Sequence, residues 1–209
     1  MNKQLKTFAK IVAAMATTMA FAGHASAGTN LLSDGDFEAF SAQVASNSYT
    51  VYSAGSKVGA WTVGGDSVDL VRGIGGAISG ISVDLAGYNS GSLSQTFNAQ
   101  AGSTYTLSWD YFKNANGATL SVDFGGKNTT YAPPSAVTSA SLTFTAVTSG
   151  VQTVTFGSIG NTAAGPVLDN VSLTVSAVPE PETYALLLAG LGAVGFVARR
   201  RGSSGSNIR

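Results

Sequence analysis

The side chains best equipped for chemistry in this sequence are carboxylates. Asp34, Asp36 and Glu38 stand two residues apart, Asp66 and Asp69 three apart, and Asp84 and Asp169 follow singly. Two carboxyl groups converging in one groove can cleave a glycosidic bond, one as acid and the other as nucleophile or base. Asp66 or Asp69 with Asp84 are the candidates, although Asp69 and Asp84 each sit in an apolar-alternating phrase, SVDLV and SVDLA. If residues 34–38 form a strand, Asp34, Asp36 and Glu38 share one face and repel one another unless solvated or bridged by a cation. Calcium, which takes oxygen ligands, suits such a cluster. Turn positions for Asp34 and Asp36 and a solvent-facing Glu38 are the alternative. Other chemistries lack their working groups. The 209 residues contain no cysteine and one histidine, His24, so thiol nucleophiles, disulfides and Cys-ligated zinc are excluded. The glycines form no Walker-type phosphate loop, and Arg72-Gly73-Ile74-Gly75-Gly76 lacks the strand-to-helix context of a dinucleotide site.

Binding chemistry is carried by aromatics. Sugar recognition uses a flat ring together with planar polar groups in a groove. Trp61, Tyr88, Trp109 and Tyr111 are the candidates. Trp109 and Tyr111 alternate with Tyr105 and Leu107 on one face, which predicts core packing. Trp61 follows Gly59-Ala60 and fits either a core or a binding position. Tyr88, within Gly87-Tyr88-Asn89-Ser90-Gly91, is the best loop aromatic, with the Asn89 amide beside it.

The elements that must position these groups are strands. Thr104–Phe112 alternates strictly, and Leu120, Val122 and Phe124 resume the alternation after Lys113–Gly117, which predicts a hairpin closed by Asn116-Gly117. Leu142/Phe144, Val154/Phe156 and Val167/Val171/Leu173/Val175 supply further strands, punctuated by Gly-Gly pairs at 64–65, 75–76 and 125–126. Short strands with no useful helical period predict an all-β, antiparallel β-sandwich over residues 28–177.

Charge sharpens this division. Eleven basic and eleven acidic residues sum to zero, which argues against a phosphate-backbone binder and so against nucleic acid. The total conceals segregation. Residues 28–177 hold four basic side chains (Lys57, Arg72, Lys113, Lys127) against nine acidic ones, and the positive charge lies at the two ends. Residues 1–27 run from Lys3, Lys6 and Lys10 through the uncharged stretch 11–22 to Ala25-Ser26-Ala27. That is the pattern of a signal peptide cleaved by signal peptidase before Gly28. His24 leaves with it, and Ser-His-Asp triads lose their base. At the other end, Pro179-Glu180-Pro181 breaks regular structure, Thr183–Ala198 is charge-free, and Arg199-Arg200-Arg201 follows. As a helix that run spans about 24 Å, short of a hydrocarbon core of about 30 Å, with the arginines kept cytoplasmic.

Residues 179–201, PEPETYALLLAGLGAVGFVARRR, resemble the PEP-CTERM sorting signal of exopolysaccharide-producing Gram-negative bacteria. That resemblance implies recognition by an exosortase and cleavage near Pro179–Pro181, after transient anchoring in the inner membrane. A permanent C-terminal anchor is the alternative. Asn30-Leu31-Leu32 with Asp34-Gly35-Asp36-Phe37-Glu38, the phrases GAWTV, GDSVDLV, ISVDLAG, GSLSQTF and YTLSWDYF, and the closing Gly165–Val171 together resemble the choice-of-anchor C domain, a relative of the DUF642 domains. The resemblance implies a galactose-binding-like jelly roll without catalytic activity. It also implies a structural calcium site at Glu38 and Asp169 with a backbone carbonyl near Asp36. The chain is thus expected to be an exported matrix or surface protein of biofilms that associates with exopolysaccharide or other glycans, with Tyr88, Asn89 and Trp61 as candidate sugar contacts. A purely structural matrix protein and a carboxylate-dependent glycoside-active enzyme are the rival readings.

Overall fold

A computed structural model of the chain describes residues 28–74, 76–114, 118–160, 163–176 and 181–202. The predicted signal peptide with Ala25 and Ala27, the Asn116-Gly117 turn, and Pro179 and Glu180 lie outside the described residues, as do the side chains of Arg200 and Arg201. Among the described residues twelve strands make two six-stranded antiparallel sheets. They are β1 (Ser48–Ser53), β2 (Lys57–Val58), β3 (Trp61–Gly65), β4 (Ser67–Arg72), β5 (Ile81–Asp84), β6 (Gly91–Ala99), β7 (Thr104–Lys113), β8 (Thr119–Phe124), β9 (Lys127–Tyr131), β10 (Thr138–Thr145), β11 (Gly150–Ile159) and β12 (Pro166–Ser176). One sheet runs β1-β4-β5-β12-β7-β10 and the other β2-β3-β6-β11-β8-β9. Within them, β5-β12-β7-β10 faces β6-β11-β8-β9, the strand order of an eight-stranded jelly roll. The all-β sandwich expected from alternation is the observed architecture.

The strands form where alternation lets one face be apolar. In β7, Tyr105, Leu107, Trp109 and Tyr111 are buried while the residues between them are half-exposed. The facing sheet answers with Leu93, Leu120, Val122, Val154 and Phe156. Phe156 sits between the two tryptophans, its ring centroid 6.2 Å from Trp61 and 5.4 Å from Trp109. Such tilted and edge contacts add to the burial of large apolar area.

The predicted β7–β8 hairpin is not formed. Strand β7 pairs with β10 and β12, and β8 pairs with β11 and β9 in the opposite sheet. The two strands thus belong to opposite layers. Alternation reports which face of a strand is buried, and strands on either side of one core bury the same kind of face. A true two-residue hairpin joins β8 to β9, where Gly125 and Gly126 take φ values of 63° and 73° that suit a glycine pair.

The opening segment is not a strand either. Asp34 and Phe37 take left-handed φ values of 51° and 56°, and a 3-10 turn follows at Glu38–Phe40. The expectation that Asp34, Asp36 and Glu38 share one strand face is therefore corrected: the backbone reverses its local hand twice within the run, which breaks the period of two. The segment is instead tied to the closing strand. Asn30 accepts from the Leu173 amide at 2.8 Å and donates to the Val171 carbonyl at 3.0 Å. Gly35 lies so close that a Cβ there would meet the Val171 carbonyl oxygen at 1.9 Å. Beyond the sandwich, helix α1 (Pro181–Gly202) extends the predicted Thr183–Ala198 run by two residues at the start and four at the end. Among the described residues no helix is long and apolar enough to cross a membrane.

Candidate functional site

Because Val68, Leu70, Ile81, Val83 and Leu168 fill the core, alternation drives their neighbours to the outer face of the first sheet. Asp69 and Val71 of β4, Ser82 and Asp84 of β5, and Asp169 of β12 are placed there. Register pairs Val51 with Asp69, Asp69 with Asp84, and Asp84 with Val167. Two carboxyl groups thus face each other directly across β4 and β5.

Above this pair lies a cavity of about 350 Å3. Its floor is Tyr49, Val51, Asp69, Val71 and Asp84, and loops supply Ile74, Gly87, Tyr88, Asn114 and Ala163 as walls. The wall carrying Tyr88 is held by Ser67, whose hydroxyl accepts from the Tyr88 amide at 2.8 Å and donates to Asp66 at 2.8 Å. A Cβ at position 87 would meet the Ser67 hydroxyl at 2.7 Å and Asp69 Oδ1 at 2.9 Å, so glycine lets the loop lie over the carboxyl. The clasp turns the Tyr88 ring outward, where it is 68% exposed.

The two carboxyls differ in what holds them. Asp84 is buried, and its Oδ1 accepts from the Ala86 and Gly165 amides at 3.0 and 2.8 Å while Oδ2 accepts from Asn114 Nδ2 at 2.6 Å. Burial raises its proton affinity and these three bonds oppose the rise. Asp69 Oδ1 is buried without a hydrogen-bond partner. Burial first, and then the charge of Asp84, pushes the Asp69 carboxyl up to about 6. A buried polar atom lacking a partner costs free energy.

Of the residues singled out for sugar binding, Tyr88 reaches the cavity and Asn89 stands exposed beside it. Trp61 does not. It is fully buried, packed on Phe37 and Phe156, and its indole N–H donates to the Asp34 carbonyl at 3.0 Å. No sugar can reach that ring, and its role is core packing. Tyr49 and Asn114 were not identified from the sequence, since they enter the site through register and a loop crossing that no local pattern reveals. A signal for the carboxyl pair did exist: the phrase Ser-Val-Asp-Leu occurs at 67–70 and again at 82–85, on strands that turn out to be neighbours.

The expected calcium residues approach one turn. Glu38 Oε1 accepts from the Ile81 amide at 2.7 Å. Asp169 Oδ2 accepts from the Ser82 hydroxyl at 2.9 Å and from the Ser79 amide and hydroxyl at 3.3 Å each. Asp36 is turned to its own segment, accepting from the Glu38 amide. Asp169 precedes a bulge at which Asn170 takes a φ of 51°. Among the described residues no three His, Asp or Glu side chains are grouped closely enough to hold a metal.

The sequence model of a family described as "Protein of unknown function (DUF642)" matches residues 30–174. That of the PEP-CTERM protein-sorting motif matches residues 177–201. No curated protein matches the chain. Among solved structures, the chain is similar to a family 61 carbohydrate-binding module in complex with β-1,4-galactotriose, at 18% identity and a TM-score of 0.43, covering 70% of this chain and 99% of that one. It is similar to a family 35 module from Paenibacillus barcinonensis at 15% identity and TM-score 0.39, covering 62% of this chain and 99% of that one. It is also similar to an arabinose-bound α-L-arabinofuranosidase at 16% identity and TM-score 0.46, covering 71% of this chain and 27% of that one.

The Asp69 geometry sets a pH dependence. Its folded form holds the proton more tightly than the unfolded chain, whose value is 3.8, so the native state loses relative stability as pH rises from there to about 6 and levels off above. Asp69→Asn removes the effect. Its melting temperature should exceed the parent's by a few degrees at neutral pH, and the gain should grow across that window when melting is followed by circular dichroism. A gain that does not vary with pH contradicts this account.

Proposed function

The chain belongs to the DUF642 family over residues 30–174 and carries a PEP-CTERM sorting motif, and from that premise we propose that it is an exported, non-catalytic surface or matrix protein that binds polysaccharide. The observation that carries the reading is the cavity over Asp69 and Asp84. Its volume of about 350 Å3 suits one or two sugar rings. Tyr88 offers an exposed ring at the rim, and the half-buried Asp69 carboxyl offers an acceptor on the floor. A sugar brings what these groups lack, an apolar face for the ring and hydroxyl donors for the carboxyl.

The direct opposition of Asp69 and Asp84 favours one second reading, a glycoside-cleaving pair. Against it, Asp84 already accepts three hydrogen bonds, which ties it in place and leaves little freedom to exchange protons with a substrate. A glycan array probed with the full-length chain should show binding that weakens about tenfold in Tyr88→Ala, equivalent to roughly 1.4 kcal/mol. Binding indifferent to Tyr88→Ala overturns the site. Release of reducing ends from a bound glycan, lost in Asp69→Asn, makes the protein an enzyme instead.

Sorting follows from the two ends of the chain. An exosortase acting near Pro179–Pro181 leaves the domain free of its apolar helix, after transient anchoring in the inner membrane. The intact mass of protein recovered from the producing cells should therefore correspond to a chain starting at Gly28 and lacking residues 182–209. Persistence of 182–209 in the mature product would show a permanent anchor.

Calcium is part of the proposal. Glu38 and Asp169 approach the Ser79–Ile81 turn from different elements, and a modest rotation of either carboxylate would free oxygens for a cation that prefers oxygen ligands. Calcium should raise the melting temperature relative to chelator, and Glu38→Gln should abolish the rise. No shift on adding calcium rejects the site.

A further inference from the structure

The cavity over Asp69 and Asp84 is acidic. Two carboxyls meet on its floor, and among the described residues none of the side chains lining it is basic. Arg72, at the end of the same strand β4, is turned away and donates to the Ser41 and Val44 carbonyls at 2.9 and 3.2 Å. The titratable groups facing Asp69 are Asp84 on β5, Tyr49 on β1 and Tyr88 on the overlying loop. All of these are acids, and none supplies a positive charge. Both tyrosines are exposed, Tyr49 at 56% and Tyr88 at 68%.

Ligand chemistries differ in how they meet this arrangement. A neutral hydroxyl can donate one bond to the Asp69 carboxyl but leaves the two carboxyls repelling each other. A uronate adds a third negative charge. A primary ammonium supplies three donors and a positive charge, so that it can bond the half-buried Asp69 carboxylate while its charge offsets that of Asp84 beside it, and charge-assisted bonds are stronger than neutral ones. The faces of Tyr49 and Tyr88 favour a cation over an anion as well.

Resting on the polysaccharide reading above, we propose that this cavity selects an amino sugar whose nitrogen is free and protonated, with the ammonium on the Asp69 carboxylate, near the charge of Asp84, and the ring against Tyr88. The polymer class is a hexosamine glycan wholly or partly without N-acetyl groups. Acetylation removes the charge and two of the donors and adds bulk where the carboxyls converge. Binding of the cation favours the ionised carboxyl, so the proton that Asp69 holds near its raised value of about 6 passes to the buffer.

The test titrates the full-length chain in detergent, by calorimetry at about pH 5, where the amine is charged and Asp69, with its value of about 6, still holds its proton, with a β-1,4-linked glucosamine tetramer and with its fully N-acetylated counterpart. The free amine should bind about tenfold more tightly or better, with heats that vary between buffers of different ionisation enthalpy because a proton is released. Asp69→Asn, checked to melt at or above the parent, should erase the preference and the proton release. Asp123→Asn, on the outer face of the other sheet, should change neither. Equal binding of the two tetramers overturns the charge selection and leaves the polysaccharide reading standing. A preference that falls equally in Asp69→Asn and Asp123→Asn assigns it to the bulk acidity of the domain and overturns the site. Failure of both tetramers overturns the amino-sugar class, and only a blank glycan array as well removes polysaccharide binding.

Discussion

The contact on which everything else depends is the meeting of two apolar sheet faces across one core. Phe156 of β11 reaches Trp109 of β7 in the opposite sheet and Trp61 of β3 in its own, and the aliphatic side chains of β4, β5, β8 and β12 close around them. Each inward apolar residue commits its two neighbours to point outward. The carboxyls of Asp69, Asp84 and Asp169 are therefore outside the core as a consequence of filling it.

Placement outside the core does not mean full exposure. Residues beyond the strands cover Asp84 and Asp169 on the outer face, Ala86, Asn114 and Gly165 on the first and Ser79 on the second, and so both are buried although they point away from the hydrophobic interior. Asp169 spends its oxygens on the Ser79, Ser82 and Asn170 donors. Its proton affinity is raised to about 6, by burial first and against those bonds. Asp84 is satisfied in the same manner. Asp69 is the exception, an acid held close to another acid with one oxygen left without a partner. Groups that break the local rule without compensation in the free protein mark functional positions more often than structural ones.

Much of the fold could be read residue by residue. Alternation in Thr104–Phe112 and in 120–124 gave real strands, and the Gly125-Gly126 pair is a real hairpin turn. What alternation could not convey was the partner of each strand. The step from β7 to β8 looks like a hairpin on paper and is a crossing between layers. Trp61 sat beside glycine and could have been surface or core; the Asp34 carbonyl that receives its N–H is brought there by a left-handed turn. The same turn dispersed the three opening carboxylates that a continuous strand would have aligned.

By itself, the sequence determined which chemistries are absent, which residues face the core, and that the two ends are segments distinct in charge from an acidic domain. These properties are local: they depend on residue type and on a period of two. The tertiary structure alone decided that Asp69 stands opposite Asp84, that Tyr49 and Tyr88 flank the space above them, and that Trp61 is sealed away. Those facts depend on register between strands and on loops crossing between sheets, and long-range pairing of this kind is set by how whole faces pack, which no short stretch of chain encodes.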